Sequence, residues 1–503
     1  MAEEVDIRRR RSAFDELGYK ETIAELMAEV QALYRADSIP WVVGYSGGKD
    51  STAVLQLVWL AVEALDPSER HKPIEVVSTD TMVENPVVAS WVARSLENIN
   101  IKSAEASMPI TAHRLTPRVE DSFWVNLIGK GYPAPRPKFR WCTERLKIKP
   151  SNQFVRDIVK ASGEAILVLG TRKAESSARA ARMVALEEMR IRDRLSPNQS
   201  MPNSLVFSPI EDWSNDDVWL YLMQQKNPWG YDNHELLAMY RGASEDNECP
   251  LVVDTSSPSC GDSRFGCWVC TMVEQDKSMA AMIQNDEEKA WMLPLLELRN
   301  ALDVSDDRHL RDFRRMDGRV HLFYDRTVPG PYTQAAREDW LRRLLEAQAH
   351  IRITGPDEVR NLELITRDEL DEIRRIWVYE KHEIEDSLPL IYSQALGEDF
   401  PGPALEEQRV FGTDEVRMLR DLCGDDQMHF ELTRSLLDIE WRYQTMSRRH
   451  GLFGELEKAI RRNFYSDQED ALNRARDLHE AKTGEAWENP SEDDDEVMDE
   501  VNA

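Results

Sequence analysis

Trp41-Val42-Val43-Gly44-Tyr45-Ser46-Gly47-Gly48-Lys49-Asp50-Ser51 is the stretch on which the reading of this sequence turns. Residues 41–45, set off by Pro40, read as a short buried strand, and residues 51–65 as a helix. Between them, Gly47 and Gly48 let backbone N–H groups approach phosphate oxygens with no side chain in the way. The helix starting near Ser51 turns its positive dipole end to the same point. Lys49 adds a mobile positive charge, Ser46 and Ser51 add hydroxyl donors, and Asp50 is placed to orient the loop or a magnesium ion. A plain tight turn is the bland alternative, and the six-residue context argues against it. The spacing Gly-x4-Gly-Lys-Ser/Thr is absent, so this is not the loop of NTPases that cleave between the β- and γ-phosphates.

Working outward, residues 12–36 carry helical spacing of Phe14, Leu17, Ile23, Leu26, Met27, Val30 and Leu33. Residues 74–78 read as a second strand ending at Asp80-Thr81, residues 87–98 as a helix, and residues 101–104 as a weaker strand. Residues 166–169 are a further strand, ending at Gly170-Thr171-Arg172. This alternation predicts an α/β fold, a parallel sheet with helices on both faces. Ligands in such sheets bind at the carboxyl ends of the strands, where all three motifs fall. Arg172 and Arg179 lie just past a strand end, where guanidinium groups meet phosphates bidentately. Trp213 and Trp219 read as core, and Ser214 with Asp217 as a capped helix start.

From about Lys277 the pattern changes to charged amphipathic stretches (339–351, 367–379, 414–422), which predicts a mainly helical second domain. The expected division is residues 1–280, 281–484 and an acidic tail, 485–503, too poor in apolar residues to fold. At 503 residues, two domains are the default. The longest apolar stretch, residues 52–65, is broken by Gln56 and Glu63 and is too short for a bilayer. The N-terminus has no signal-peptide order, so a cytoplasmic protein with no membrane partner is expected.

The net charge of −29 argues at first against a nucleic-acid partner. Its distribution is uneven. The last nineteen residues hold nine acids and no base, whereas residues 130–194 hold sixteen Lys/Arg against seven Asp/Glu. A basic island in an acidic chain implies an anionic ligand there, and nucleotide phosphates account for part of it.

Six cysteines make no disulfide framework. Cys260, Cys267 and Cys270 fall within eleven residues, with Gly261 and Gly266 permitting a tight backbone. Three thiolates need a fourth to complete a tetrahedral all-cysteine site. Cys142 is the preferred fourth and Cys249 the competitor; Cys423 reads as a structural thiol. Spacing leaves iron and zinc both open.

Ser46–Ser51 resembles the PP-loop of the ATP pyrophosphatase superfamily. Ser78-Thr79-Asp80-Thr81 with Glu84-Asn85-Pro86, Leu169-Gly170-Thr171-Arg172 with Glu175-Ser176 and Arg179, and the segment from Pro209-Ile210 to Val218-Trp219 are similar to motifs of its phosphoadenylylsulfate reductase branch. The segment Trp141-Cys142-Thr143-Glu144-Arg145 is similar to the Cys-Cys-x-x-Arg motif of the cluster-bearing reductases, with one cysteine where those have two. Among these relatives the whole pattern looks most like the DndC-type sulfurtransferases of bacterial DNA phosphorothioation. The Glu-Cys-Gly-Ile/Leu-His nucleophile of the reductases is not seen at the end of this chain, which sets the expectation against a thiol reductase.

The resemblance implies ATP bound with Mg2+ on Ser46, Gly47, Gly48, Lys49, Asp50 and Ser51, with Asp80, Thr81, Gly170 and Arg172 completing the site. Lys49, Asp50, Arg172 and Arg179 are the implied catalytic set, and a [4Fe–4S] cluster on Cys142, Cys260, Cys267 and Cys270 is favoured over zinc. Cleavage to AMP and pyrophosphate activates a DNA backbone oxygen for replacement by sulfur. The implied partners are DNA (through residues 130–194, including Arg136, Lys138 and Arg140), a cysteine desulfurase, and the other proteins of the Dnd system. A sulfonucleotide reductase, an RNA-thiolating enzyme, and a non-catalytic iron–sulfur DNA-binding subunit are the alternatives.

Overall fold

The computed structural model describes residues 12–137, 139–190, 192–243, 266–323, 326–402, 412–444 and 446–483. The chain forms two units that interleave along the sequence. The first comprises residues 1–117, 143–268 and 275–292, the second residues 118–142, 269–274 and 293–503. A single boundary at residue 280 does not describe this division. The acidic tail from residue 485 lies outside the described residues.

In the first unit, helix α1 (Tyr19–Arg35) precedes strand β1 (Trp41–Gly44), helix α2 (Lys49–Glu63), strand β2 (Ile74–Thr79), helix α3 (Pro86–Glu105) and strand β3 (Ile110–Leu115). Helix α4 (Lys149–Ser162), strand β4 (Ala165–Val168), helix α5 (Ser177–Glu187), strands β5 (Ser196–Pro197) and β6 (Ser204–Phe207), and helices α6 (Asn215–Gln224), α7 (Asn233–Gly242) and α8 (Lys277–Asn285) follow. Among the described residues the sheet has six strands in the order β3-β2-β1-β4-β6-β5, parallel except for β5 against β6. The strand order reverses between β1 and β4, the switch point at which such sheets bind ligands.

Helix α2 explains its own composition. It is apolar around most of its circumference because residues 51–59, together with Ala61 and Val62, are all buried. Its one buried amide, Gln56, donates to Asn233 Oδ1 at 2.8 Å, and Asn233 donates to Leu222 O at 2.8 Å. This pairing ties α2 to α6 and α7 without an unmet polar group. The core beside it is aromatic, with Trp41, Trp59, Trp219 and Trp229 all fully buried. Trp213 and Trp219 are core residues as expected, and Ser214 and Asp217 form the capping box of α6.

One expected strand is corrected. Residues 101–104 continue α3, and the strand lies later, at β3. That strand is at the sheet edge and only Ile110 is buried, so it lacks the apolar run that marks its neighbours.

The second unit is mainly helical: α9 (Leu293–Leu302), a short hairpin of β7 (Leu322–Phe323) and β8 (Arg326–Thr327), then α10 (Gln334–Thr354), α11 (Arg367–Arg375), α12 (Leu388–Leu396), α13 (Thr413–Cys423), α14 (Gln427–Gln444), α15 (Leu452–Arg462) and α16 (Gln468–Thr483). Residues 118–142 belong here because Phe123, Trp124, Val125, Leu127 and Ile128 are buried in its core. Trp124 Nε1 donates to Leu364 O at 2.8 Å, and Trp377 Nε1 donates back to Ile128 O at 3.0 Å. Cys423 packs beside Ile384, Val416 and Phe430, as a structural thiol would. No helix among the described residues is long and apolar enough to cross a membrane.

Candidate functional site

The carboxyl ends of β1, β2 and β4 meet in a cleft of about 540 Å3 within the first unit. Its floor is the Ser46–Ser51 loop. Ser51 Oγ accepts from Ser46 N at 3.2 Å and donates to Gly48 O at 3.0 Å, which closes the loop on itself. Gly47 sits at φ +73°, and a Cβ there would lie 2.5 Å from Val92 Cγ2 on α3. Both facts require glycine. The floor therefore offers backbone amides, the Ser46 hydroxyl and the start of α2, a donor set expected for a polyphosphate.

Lys49 and Asp50 are held from behind. Lys49 Nζ lies 3.2 Å from Asp50 Oδ2, and Arg172 Nε lies 2.7 Å from Asp50 Oδ1. The second contact is an ion pair without hydrogen-bond alignment, since neither atom has a geometrically sound hydrogen-bond partner. Arg172 is 4% exposed and also donates to Trp213 O at 3.2 Å. It lies against Asp50 and is not among the residues that line the cleft. Asp50 lines the cleft with each carboxylate oxygen facing a cation.

Gly170 allows the β4 loop to reach this position. A Cβ there would stand 2.9 Å from the carbonyl carbon and oxygen of Asp50. Arg179, on α5, lines the cleft and pairs with Glu175. Asp80 also lines the cleft, clamped by Arg114 through Nε at 2.8 Å and through Nη2. Its other oxygen accepts from Met82 N at 2.7 Å, in a turn where Met82 has φ +63°. Thr81 is fully buried, with Oγ1 donating to Glu84 Oε1 at 3.2 Å and lying 3.3 Å from Cys267 Sγ.

Cys267 is thus stitched to the rim of the cleft. It forms an antiparallel bridge with Glu84, and the adjacent Trp268 N donates to Val83 O at 2.9 Å. Glu84 and Lys147 both line the cleft, 3.7 Å apart. Burial raises the Glu84 carboxyl above its ordinary range against the pull of Lys147. Of the other metal-ligand candidates, Cys142 and Cys270 belong to the second unit, while Cys260 and its competitor Cys249 lie outside the described residues. The sulfur atoms of Cys142, Cys267 and Cys270 are a donor chemistry suited to iron or zinc. Among the described residues no three His, Cys, Asp or Glu side chains converge on a metal position.

Two cleft residues escaped the sequence reading. Tyr240, on α7, accepts from Lys49 N at 3.3 Å, and the Lys49 ammonium lies 5.5 Å from its ring centre. Arg114 lies on the edge strand misplaced from sequence. A strand at residues 110–115 would have brought Arg114 beside Asp80; nothing in the local sequence marks Tyr240.

Part of the basic span of residues 130–194 is spent inside the units. Arg136 pairs with Asp307, Arg172 with Asp50, Lys173 with Glu187 and Asp212, Arg190 with Glu211, Arg192 with Asp37, and Arg194 with Glu29 and Glu211. Lys138 lies outside the described residues. Most of these acids come from distant sequence, so a local count overstates the surface charge.

Residues 40–272 match the family model of the phosphoadenosine phosphosulfate reductase domain. An uncharacterized protein of Methanocaldococcus jannaschii is 28% identical over 200 residues, 40% of this chain and 35% of the relative. The chain therefore spans about a third of the length of that curated relative. The crystal structure of phosphoadenylyl-sulfate reductase from Candida auris, a phosphate complex, aligns at 13% identity with a TM-score of 0.27, over 44% of this chain and 92% of that one. The glycine loop at the switch point and the matched family model agree on a fold of the phosphoadenosine phosphosulfate reductase-like, PP-loop type.

Proposed function

We propose that this protein is an ATP-dependent sulfurtransferase of DNA, cleaving ATP to AMP and pyrophosphate to activate a backbone phosphate oxygen for replacement by sulfur. The observation that carries the nucleotide half is the closed Ser46–Ser51 loop at the β1–β4 switch point. The substrate half rests on the resemblance of the motifs to DndC-type enzymes.

In this reading the triphosphate lies on the amides of Gly47 and Gly48 and the hydroxyls of Ser46 and Ser51, with Mg2+ neutralising part of its charge. A non-bridging oxygen of the DNA phosphodiester attacks the α-phosphorus. Pyrophosphate leaves, and the DNA phosphate carries AMP. A hydrosulfide, released when a thiol reductant cleaves the persulfide made by a cysteine desulfurase, then attacks that phosphate, expels AMP and gives up its proton to solvent. Lys49 and Arg179 stabilise charge as it develops, and catalysis is electrostatic more than acid–base. Asp50 and Arg172 are positioning residues that hold Lys49 and the loop in place. Cys142, Cys260, Cys267 and Cys270 are the proposed ligands of a [4Fe–4S] cluster, which would supply redox or sulfur-handling chemistry. No step above runs through it.

A sulfonucleotide reductase is the second reading, favoured by the matched family model over residues 40–272. Anaerobically purified protein assayed for pyrophosphate release, with and without duplex DNA, separates the two. Release that rises with DNA, and is lost in the Lys49→Ala, Asp50→Ala variant, supports the transferase. Absence of release from the wild type sinks it, and sulfite formed from phosphoadenylylsulfate installs the reductase.

A further inference from the structure

Helix α15 of the second unit carries apolar side chains on two sides, where a surface helix needs them on one. Leu452, Leu456 and Ala459 form the inward stripe, the leucines half-buried and Ala459 buried. Asn463, next along that stripe, accepts from Arg314 Nη1 at 3.3 Å and fixes the end of the helix. A second stripe is set one residue on. Phe453 and Ile460, seven residues apart and so on one side of the helix, are 84% and 53% exposed. Phe464, just past the helix end, is 53% exposed and is held in place, with the Arg474 guanidinium 5.1 Å from its ring centre and the Tyr465 ring edge-on at 5.0 Å. One exposed apolar side chain is ordinary, but three large ones on a single short element mark a contact surface.

Gly454, exposed beside Phe453, has no left-handed φ, and among the described residues a Cβ on it would meet no atom within 4 Å. Alanine would favour the helix there through conformational entropy, so the fold of one copy gives no reason for glycine. A second helix backbone passing close to this face does. The charges of α15 are also sorted along its length. Glu455 and Glu457 stand in the first half, Lys458 and Arg461 in the second. Within one copy Glu455 meets Lys458 at 2.8 Å and Glu457 meets Arg461 at 2.6 Å. These are solvent-exposed contacts that contribute little and are free to exchange partners.

We infer that two copies of this chain associate through α15, the two helices antiparallel about a two-fold axis. A helix with acids in one half and bases in the other is self-complementary only in that orientation. Each acidic half then lies opposite the basic half of the other copy, whereas a parallel pair would set like against like. The helix dipoles favour the same arrangement. Phe453 and Ile460 of each copy cover those of the other, and Gly454 admits the close approach. A two-fold pairing uses the same patch on both copies and closes, so the assembly stops at a dimer. The inference rests on the second unit alone and is independent of whether the first unit cleaves ATP.

Sedimentation equilibrium of the full-length chain, with reductant present to exclude disulfides, tests this between about 1 and 200 µM, a range suited to a small interface. A monomer–dimer equilibrium is expected. Ile460→Glu and Phe453→Ser, both at exposed positions, should weaken it at least about tenfold, with circular dichroism unchanged. Glu457→Lys and Arg461→Glu should each weaken it about threefold. The double variant, in which the two halves exchange sign at these positions, should return to within about twofold of the wild type. Gly454→Ala should weaken the dimer while raising the Tm of dilute protein by about 1–3 °C. Four results overturn the inference: monomer alone up to about 200 µM, species beyond the dimer that grow with concentration, a dimer equally tight in both Ile460→Glu and Phe453→Ser, or a double charge variant weaker than either single one.

Discussion

Arg172 and Asp50 supply a test of how the nucleotide loop is held that needs no substrate. Their charged atoms are 2.7 Å apart, and Arg172 is 4% exposed while the Asp50 side chain is about a quarter exposed. At an effective dielectric constant of about 20, the gross attraction is about 6 kcal/mol. Desolvation cancels part of it, and removing one partner of a buried pair costs about 3–5 kcal/mol because the other is left unmet. Asp50→Asn abandons Arg172, and the partial exposure of Asp50 puts the cost near the lower end, about 3 kcal/mol. Arg172→Met leaves Asp50 its second cation, Lys49 at 3.2 Å, so about 2 kcal/mol is expected. The double variant has no abandoned charge and should be less destabilised than the sum by about 1–3 kcal/mol. Urea denaturation followed by tryptophan fluorescence measures all three, and calorimetry should place Asp50→Asn about 6–12 °C lower in Tm. Effects that add to within about 0.5 kcal/mol would show the pair uncoupled and refute the positioning role.

Gly170→Ala drives a Cβ to 2.9 Å from the Asp50 carbonyl; it should cost about 1–3 kcal/mol in thermal stability and at least about tenfold in pyrophosphate release through displacement of the loop. Tyr240→Phe removes the acceptor of Lys49 N, and should raise the KM for ATP several-fold in the same assay while costing about 1 kcal/mol of stability. In the second unit, Glu383 and Arg337 form a buried pair, and Glu383→Gln should cost about 3–5 kcal/mol at neutral pH. Burial opposes ionisation of Glu383, yet Arg337 and its neighbours hold the carboxyl below its ordinary value. The stability it contributes is therefore present above the ordinary carboxylate pKa and is lost as pH falls through the depressed one. Denaturation across acid pH should show the wild type converging on Glu383→Gln; a constant gap would refute the linkage. Cys267→Ala should reduce iron bound after anaerobic purification, read by elemental analysis, with zinc in place of iron identifying the other metal.

Much of the sheet was legible because its central strands are short and apolar. β1, β2 and β4 each bury most of their residues on both faces, so hydrophobicity alone marks them. β3 was misplaced because an edge strand rich in polar residues resembles a loop, while residues 101–104 continue α3 with Ile101 exposed. The short β5 and β6 likewise carry little pattern of their own. The two units could not be divided from sequence because residues 118–142 and 269–274 are recruited by packing, not by composition.

The sequence by itself determined the phosphate loop, since Gly47, Gly48 and the Ser46 and Ser51 hydroxyls act through local backbone geometry that adjacent residues specify. Only the tertiary structure decided the roles of the charges around it. It set Arg172 against Asp50, brought Tyr240 and Arg114 to the cleft, and paired part of the basic span with acids from distant segments. A charge acts across space on whatever the fold brings near, and that is not written in its neighbours along the chain.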